Sequence, residues 1–212
     1  MIKFFLFCLS LLFLPFFIVI SLFNKRLRTT LSERLLLGNW SSFKKTKQKL
    51  IWIHAASVGE INGVKPILKK LKENFPEIQI LTTCFSDTGR DVLRKLNEDV
   101  LILPYDNAFF ARKALEKAKP DLVLIAETEI WPSFMLELRD VPVIYFNARI
   151  SDYTVSRYQI FSSFLKNIFK PVEILFAQTE IDSKRFKKLG VVDVKVSGST
   201  KSDSINLSLI HI

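Results

Sequence analysis

The chain has 212 residues, of which 49% are hydrophobic and 25% charged, a balance that excludes an intrinsically disordered polymer and fits one domain of moderate size. Thirty-one Lys and Arg against 21 Asp and Glu leave a formal charge of +10, which favours a polyanionic partner: nucleic acid, an anionic membrane or a phosphorylated ligand. Cys8, Cys84, His54 and His211 are too few for a disulfide framework, a zinc site or a histidine-based triad, so no metal is expected and a reducing compartment fits.

Residues 4 to 23, FFLFCLSLLFLPFFIVISLF, form an uncharged run of 20, about the ~20 residues that cross a hydrocarbon core as a helix. The run is longer than the apolar region of a secretory signal, and SLFNKRLR supplies no small-residue cleavage site, so a retained single-pass anchor is expected over residues 1 to 24. Lys25, Arg26 and Arg28 follow the run while only Lys3 and the amino terminus precede it, which puts the remainder on the cytoplasmic side of the inner membrane. The same bases favour anionic headgroups. Pro15 interrupts the backbone ladder and allows a kink or a partly interfacial helix. Residues 25 to 49 read as a basic linker or amphipathic segment, with KKTKQK at 44 to 49 solvated.

From residue 50 the pattern changes. Short apolar runs occur at LIWIH (50 to 54), IQILTTC (78 to 84), VLIL (100 to 103), DLVLIA (121 to 126), VPVIYF (141 to 146), EILFA (173 to 177) and VKVSG (194 to 198). Between most of them apolar residues recur three or four apart, as at Val64, Leu68, Leu71 and Phe75. Continuous apolar strands alternating with amphipathic helices predict an α/β fold, a doubly wound Rossmann-like parallel sheet buried on both faces, over residues 50 to 203. Lys65, Lys69, Lys70 and Lys72 fit a solvated helix face; they lack the interleaved aromatic residues that stack bases, so nucleic acid is not an expected partner.

Ligands of such sheets bind beyond the carboxyl ends of the strands, where strand order reverses, commonly between the first and fourth. HAASVGE (54 to 60) brings Glu60 to the turn after the first strand, and AETEIWP (126 to 132) brings Glu127 and Glu129 to the turn after the fourth. Two carboxyl groups remote in sequence would then face one crevice, as acid–base chemistry requires. Capping competes: Ser57 and Glu60 match a capping box in which Glu60 reaches the amide of Ser57, and Thr128 could cap a helix with Pro132 in its first turn. Glu127 abuts a buried strand end and needs a partner or a ligand to offset desolvation. On the same edge, CFSDTGRD (84 to 91) offers Ser86, Thr88 and Arg90, and NARIS (147 to 151) offers Arg149, for an anion. Neither G-x-G-x-x-G after the first strand nor G-x-x-x-x-G-K-[ST] occurs, which removes the usual dinucleotide and nucleoside-triphosphate sites and leaves a transferase or a binding module with no cofactor.

At these residues the chain resembles the 3-deoxy-D-manno-octulosonic acid (Kdo) transferases of lipopolysaccharide synthesis. The matching pieces run in order: the anchor with its basic flank, HAASVGE, LTTCFSDTGRD, LPYD (103 to 106), AETEIWPS, NARIS, AQTEIDSKRFKKLG (177 to 190) and GSTKSD (198 to 203). The resemblance implies the N-terminal, acceptor-binding half of a GT-B glycosyltransferase that moves Kdo from CMP-Kdo to a lipid A precursor. It implies Glu60 as general base and Glu127 as the second essential acid. Arg90 and Arg149 suit the acceptor phosphates, with Ser57, Gly59, Ser86 and Glu129 as further acceptor-side contacts. Family members continue into a second half that supplies most of the donor site, whereas residues 204 to 212, SINLSLIHI after the shared Asp203, match nothing in the family. Truncation or a split reading frame is therefore expected, with a separate C-terminal half as a partner and little turnover from this chain alone. Ser202 and Ser133 depart mildly from the family pattern. The alternative reading is a membrane-anchored, noncatalytic module that binds an anionic glycolipid or assembles with another polypeptide.

Overall fold

The computed structural model describes residues 2–138 and 140–200. Lys201 to Asp203 of the GSTKSD segment and the tail 204–212 lie outside them. Seven strands, β1 (Leu50–His54), β2 (Gln79–Cys84), β3 (Val100–Ile102), β4 (Leu122–Ala126), β5 (Val143–Ala148), β6 (Val172–Ala177) and β7 (Val194–Val196), form one sheet. The order is β3-β2-β1-β4-β5-β6-β7 and every pairing is parallel. All five residues of β1 and all six of β2 are buried, which explains why these strands read as apolar runs without alternation. Alternate positions still serve opposite faces: Leu50 and Trp52 join one core with Val123, Ile125 and Tyr145, while Ile51 and Ile53 join the other with Leu124, Ala126 and Phe146.

The second face is covered by α4 (Val58–Asn74) and α5 (Asp87–Arg94), through Ile61, Val64, Leu68 and Leu93. The first is covered by α6 (Ala108–Ala118), α7 (Pro132–Glu137), α8 (Asp152–Gln159), α9 (Ser162–Ile168) and α10 (Glu180–Lys188). Ser57, Ser86, Asn107, Ser151 and Thr179 cap five of these helices by accepting from a backbone N–H in the first turn. The cap expected at Thr128 does not form: α7 starts at Pro132 after Trp131, and its first amides, Ser133 N and Phe134 N, donate to the Asp106 carboxyl instead. Proline at the first helical position removes a donor that needs no partner.

The N-terminal region is more structured than its composition implies. Helix α1 (Ile2–Phe23) contains an 18-residue window, Leu6–Phe23, long and apolar enough to cross a membrane, with 6% of it buried against the protein. Its first half touches the domain, where the Tyr105 hydroxyl donates to Ser10 O at 3.2 Å and Asn107 Nδ2 to Ser10 Oγ at 2.8 Å. The segment read as a linker contains α2 (Lys25–Arg34) and the single turn α3 (Asn39–Ser42). Trp40 is fully buried and donates from Nε1 to Ile102 O at 2.7 Å, and Glu33 Oε2 accepts from Ile102 N at 3.1 Å. Arg34 lies 3.8 Å over the Phe85 ring. Only 44–49 is the largely exposed stretch expected of a linker, and even there Lys45 and Lys49 pair with Asp121.

Candidate active site

Strands β1 and β4 are adjacent and aligned in register, His54 opposite Ile125, so the turns that follow them open on the same edge at the point where strand order reverses. A cavity of about 510 Å³ lies there, lined by Glu60, Glu127, Glu129 and Arg149, by Gln178 from the β6–α10 connection and by Asp182 from the first turn of α10. A second cavity of about 530 Å³ lies between α1 and α6, but its charged residues are committed to each other, Arg112 with Glu137 and Lys113 with Glu116. Volume does not separate the two; position at the strand ends does.

Glu60 sits in the first turn of α4 and is 8% exposed. Its Oε2 accepts from Ala56 N at 2.8 Å and its Oε1 from the Ser57 hydroxyl at 3.0 Å. The capping box thus closes one residue earlier than expected, on Ala56, with the Ser57 hydroxyl donating to the other oxygen. These two hydrogen bonds orient the carboxylate at the wall of the cavity. Gly59, on the same turn, is exposed and a Cβ there would meet only Ser57 Oγ, at 3.7 Å.

Glu127 continues β4, its N–H donating to Phe146 O at 2.9 Å, but with φ of 56° it has entered the left-handed region. A non-glycine residue there stores strain of about 1–3 kcal/mol, held in place by its surroundings. Here the surroundings are the sheet ladder and Arg149, whose Nε lies 3.0 Å from Glu127 Oε2. The Arg149 side chain is 62% exposed, so the rest of its guanidinium faces the opening. Glu129 lines the cavity two residues on; burial first, and then the charges of Glu60 and Glu127, push its carboxyl up to about 7. His54 contributes no acid–base chemistry at neutral pH, since complete burial pulls its imidazole down to about 3.

The structure does not bring Ser86 and Arg90 to this cavity. Ser86 caps α5, accepting from Gly89 N at 3.2 Å. The Arg90 guanidinium is held between Glu33 of α2 and Asp87, so the residue read as a phosphate ligand ties α2 to the sheet edge. The correction has a simple cause: Glu33 lies 57 positions away and is 4% exposed, and a buried carboxylate recruits the nearest cation.

Three supporting residues were not singled out by the motifs. Asn147, also left-handed at φ 52°, donates from Nδ2 to Thr200 Oγ1 at 2.6 Å and accepts Thr200 N on Oδ1 at 2.8 Å. Gln178 Nε2 donates to Asn147 O at 2.9 Å, and Asp182 Oδ1 accepts from Ile150 N at 2.9 Å, so both hold the loop that carries Arg149. The signal for Asp182 was present as Thr179-x-x-Asp182, a capping pattern. Asn147 carried no local signal, because its partner lies 53 residues away.

A parallel sheet in this order, with opposed acidic turns at its switch point, defines a GT-B-like Rossmann fold. The fold aligns with UDP-GlcNAc 2-epimerase from Neisseria meningitidis bound to UDP-GlcNAc, at a TM-score of 0.56 and 18% identity over 77% of this chain and 49% of that one. An epimerase from Methanocaldococcus jannaschii gives the same TM-score of 0.56. Residues 29–204 match the family model of 3-deoxy-D-manno-octulosonic-acid transferase (kdotransferase), and the chain belongs to that family. The Haemophilus influenzae 3-deoxy-D-manno-octulosonic acid transferase is 31% identical over 91% of this chain and 46% of its own length. That of Chlamydia trachomatis serovar D is 30% identical over 81% and 42%, and a bifunctional glycosyltransferase/methyltransferase of Fusobacterium nucleatum is 31% identical over 82% and 28%. The chain thus spans less than half the length of these curated relatives.

Proposed function

We propose that this chain is the acceptor-binding half of an enzyme that transfers Kdo from CMP-Kdo to a lipid A precursor. The observation that carries the reading is the convergence of Glu60, Glu127 and Arg149 on one open cavity at the switch point. Glu60 acts as general base: the acceptor hydroxyl gives its proton to the carboxylate as its oxygen bonds to the anomeric carbon of Kdo. The bond from that carbon to the donor phosphate breaks, and CMP leaves with the electron pair. A sugar hydroxyl is a weak nucleophile, so a fixed carboxylate aimed at its proton contributes on the order of 10²–10⁴-fold. Glu127, paired with Arg149, holds the opposite wall. Glu129 keeps its proton near neutrality and donates a hydrogen bond to a substrate oxygen, while the open face of Arg149 pairs with an acceptor phosphate. Ser57 orients Glu60 and Gly59 leaves room beside it. Most donor contacts are assigned to a second half, whether joined or separate.

The anchor reading supports the same function. Helix α1 would cross the inner membrane once, with Lys25 and Arg28 against anionic headgroups and the domain on the cytoplasmic side, next to an acceptor that stays in the bilayer. Crossing requires Ser10 to give up its hydrogen bonds to Tyr105 and Asn107, a cost of about 1 kcal/mol each. That is small beside the transfer of 18 residues of mean hydropathy 2.7.

The test is transfer of Kdo from CMP-Kdo to a lipid A precursor by the full chain in lipid vesicles, alone and with the C-terminal half of a relative added. Product with the added half, abolished by Glu60→Gln, is the expected result. Tight binding of the precursor with no product in any combination would show a noncatalytic glycolipid-binding module and refute the enzymatic reading.

A further inference from the structure

The turn between α8 and α9 exposes more apolar surface than a solvated turn needs. Ile160 is 80% exposed, Phe161 60%, and Tyr153, one helix length earlier, 71%. From Tyr153 to Lys170 the sequence contains Arg157, Lys166 and Lys170 and no acidic residue. The Arg157 guanidinium stays at the surface, 5.4 Å over the Tyr153 ring and donating to its hydroxyl at 3.2 Å. The neighbouring acid, Asp152, is paired with Arg185, so bases are in excess around these side chains, and exposed aliphatic and aromatic side chains among excess bases are the composition of an interfacial lipid contact. The turn also lies on a telling side of the molecule. Helix α1 docks on α6 and α7, and α7 packs on α9, so the surface that α1 uncovers on crossing the bilayer and this turn belong to the same helical layer. Ser151, which lines the catalytic cavity, caps α8, and the eight residues of that helix lead from the cavity to the turn, about 12 Å at 1.5 Å per residue.

We infer that the α8–α9 turn is a second membrane contact, in which Ile160, Phe161 and Tyr153 enter the headgroup region of an anionic bilayer while Arg157, Lys166 and Lys170 pair with lipid phosphates. With α1 as one attachment and this turn as the other, the domain cannot swivel freely about its anchor, and the cavity is held against the surface that carries its acceptor. Charge decides the occupant: a second copy of this chain would bring the same basic rim and repel, whereas an anionic bilayer complements it. The inference rests on the membrane anchoring proposed above and is independent of Kdo transfer.

The experiment uses the full chain with Cys8→Ser, so that the buried Cys84 is the remaining native thiol, and a single environment-sensitive fluorophore at Phe161→Cys or, as a control on the opposite layer, at Lys69→Cys. Vesicles of phosphatidylethanolamine and phosphatidylglycerol carry a nitroxide on the headgroup, and co-flotation reports the anchor separately. The expected result is a blue-shifted probe at 161, quenched at least about twofold more than the probe at 69, as for a side chain within the ~5–10 Å interfacial zone. The difference should shrink in phosphatidylcholine vesicles or when Arg157, Lys166 and Lys170 are all changed to Gln. Bound chain with equal quenching at the two positions overturns the second contact while leaving the anchor intact. Failure to float overturns the anchor and this inference together. A blue shift at 161 that appears without lipid as protein concentration rises identifies self-association and overturns it as well.

Discussion

Gly63 and Gly59 lie on the same helix, and changing each to alanine is expected to have opposite effects. A Cβ at Gly63 would meet Asn147 Nδ2 at 2.5 Å and Thr200 Oγ1 at 3.2 Å. To reach ordinary contact at 3.4 Å the amide must retreat by roughly 0.9 Å, and its freedom to do so is small. It is bonded to both the hydroxyl and the N–H of Thr200, and that hydroxyl donates in turn to Gly63 O at 2.8 Å. Overpacking costs about 1–3 kcal/mol, and each hydrogen bond lost adds about 1 kcal/mol. Alanine recovers roughly 0.5–1 kcal/mol of helix propensity, leaving Gly63→Ala destabilised by about 2–3 kcal/mol. For a domain of this size that lowers Tm by several degrees, at about 2–4 °C per kcal/mol. Gly59→Ala meets only Ser57 Oγ, at 3.7 Å, and should be neutral or slightly stabilising. Urea denaturation and thermal melts of both variants check the pair. A Gly63→Ala protein as stable as the parent would refute the Asn147–Thr200 clamp.

Glu60→Gln keeps the shape and the acceptor for Ala56 N–H, turns the other position into a donor toward the Ser57 hydroxyl, and cannot take a proton, so Kdo transfer by the assembled enzyme should fall by at least about 10²-fold with precursor binding retained; unchanged turnover would remove Glu60 from the base role. Glu129 has a folded pKa near 7, above the usual carboxyl value, so the native state holds its proton longer than the unfolded chain does. Its stabilising contribution is therefore full below about pH 4.5 and is lost as pH rises toward 7, and Glu129→Gln should flatten that part of the stability profile, by about 1 kcal/mol at most once solvent screening is allowed for. A profile that keeps its slope in the variant argues against the three-carboxylate arrangement. Arg90→Gln leaves Glu33 buried without its cation and should cost about 3 kcal/mol or more of stability in denaturant titration. Undiminished stability with lost binding of the lipid phosphates would restore Arg90 as a ligand.

Residues 50–54 are legible as a strand from the sequence, because a parallel strand buried on both faces reads as a continuous apolar run, and Leu50–Ile53 does, with the buried His54 closing it on a hydrogen bond to Thr83. The same reasoning reached all seven strands, the reversal between the first and fourth, and the two acidic turns that meet there, since each depends on local periodicity or on chain order. The capping pattern at Ser57 was equally local. What tertiary structure decided was the choice of partners. Arg90 turned to Glu33, Asp106 displaced Thr128 as the cap of α7, and the basic stretch around Trp40 folded onto the edge of the sheet. Asn147 found Thr200, and Glu127, at a left-handed backbone position, paired with Arg149. Periodicity is written along the chain within a turn or two, whereas a charge or an amide answers to whatever the completed fold sets within about 3 Å of it.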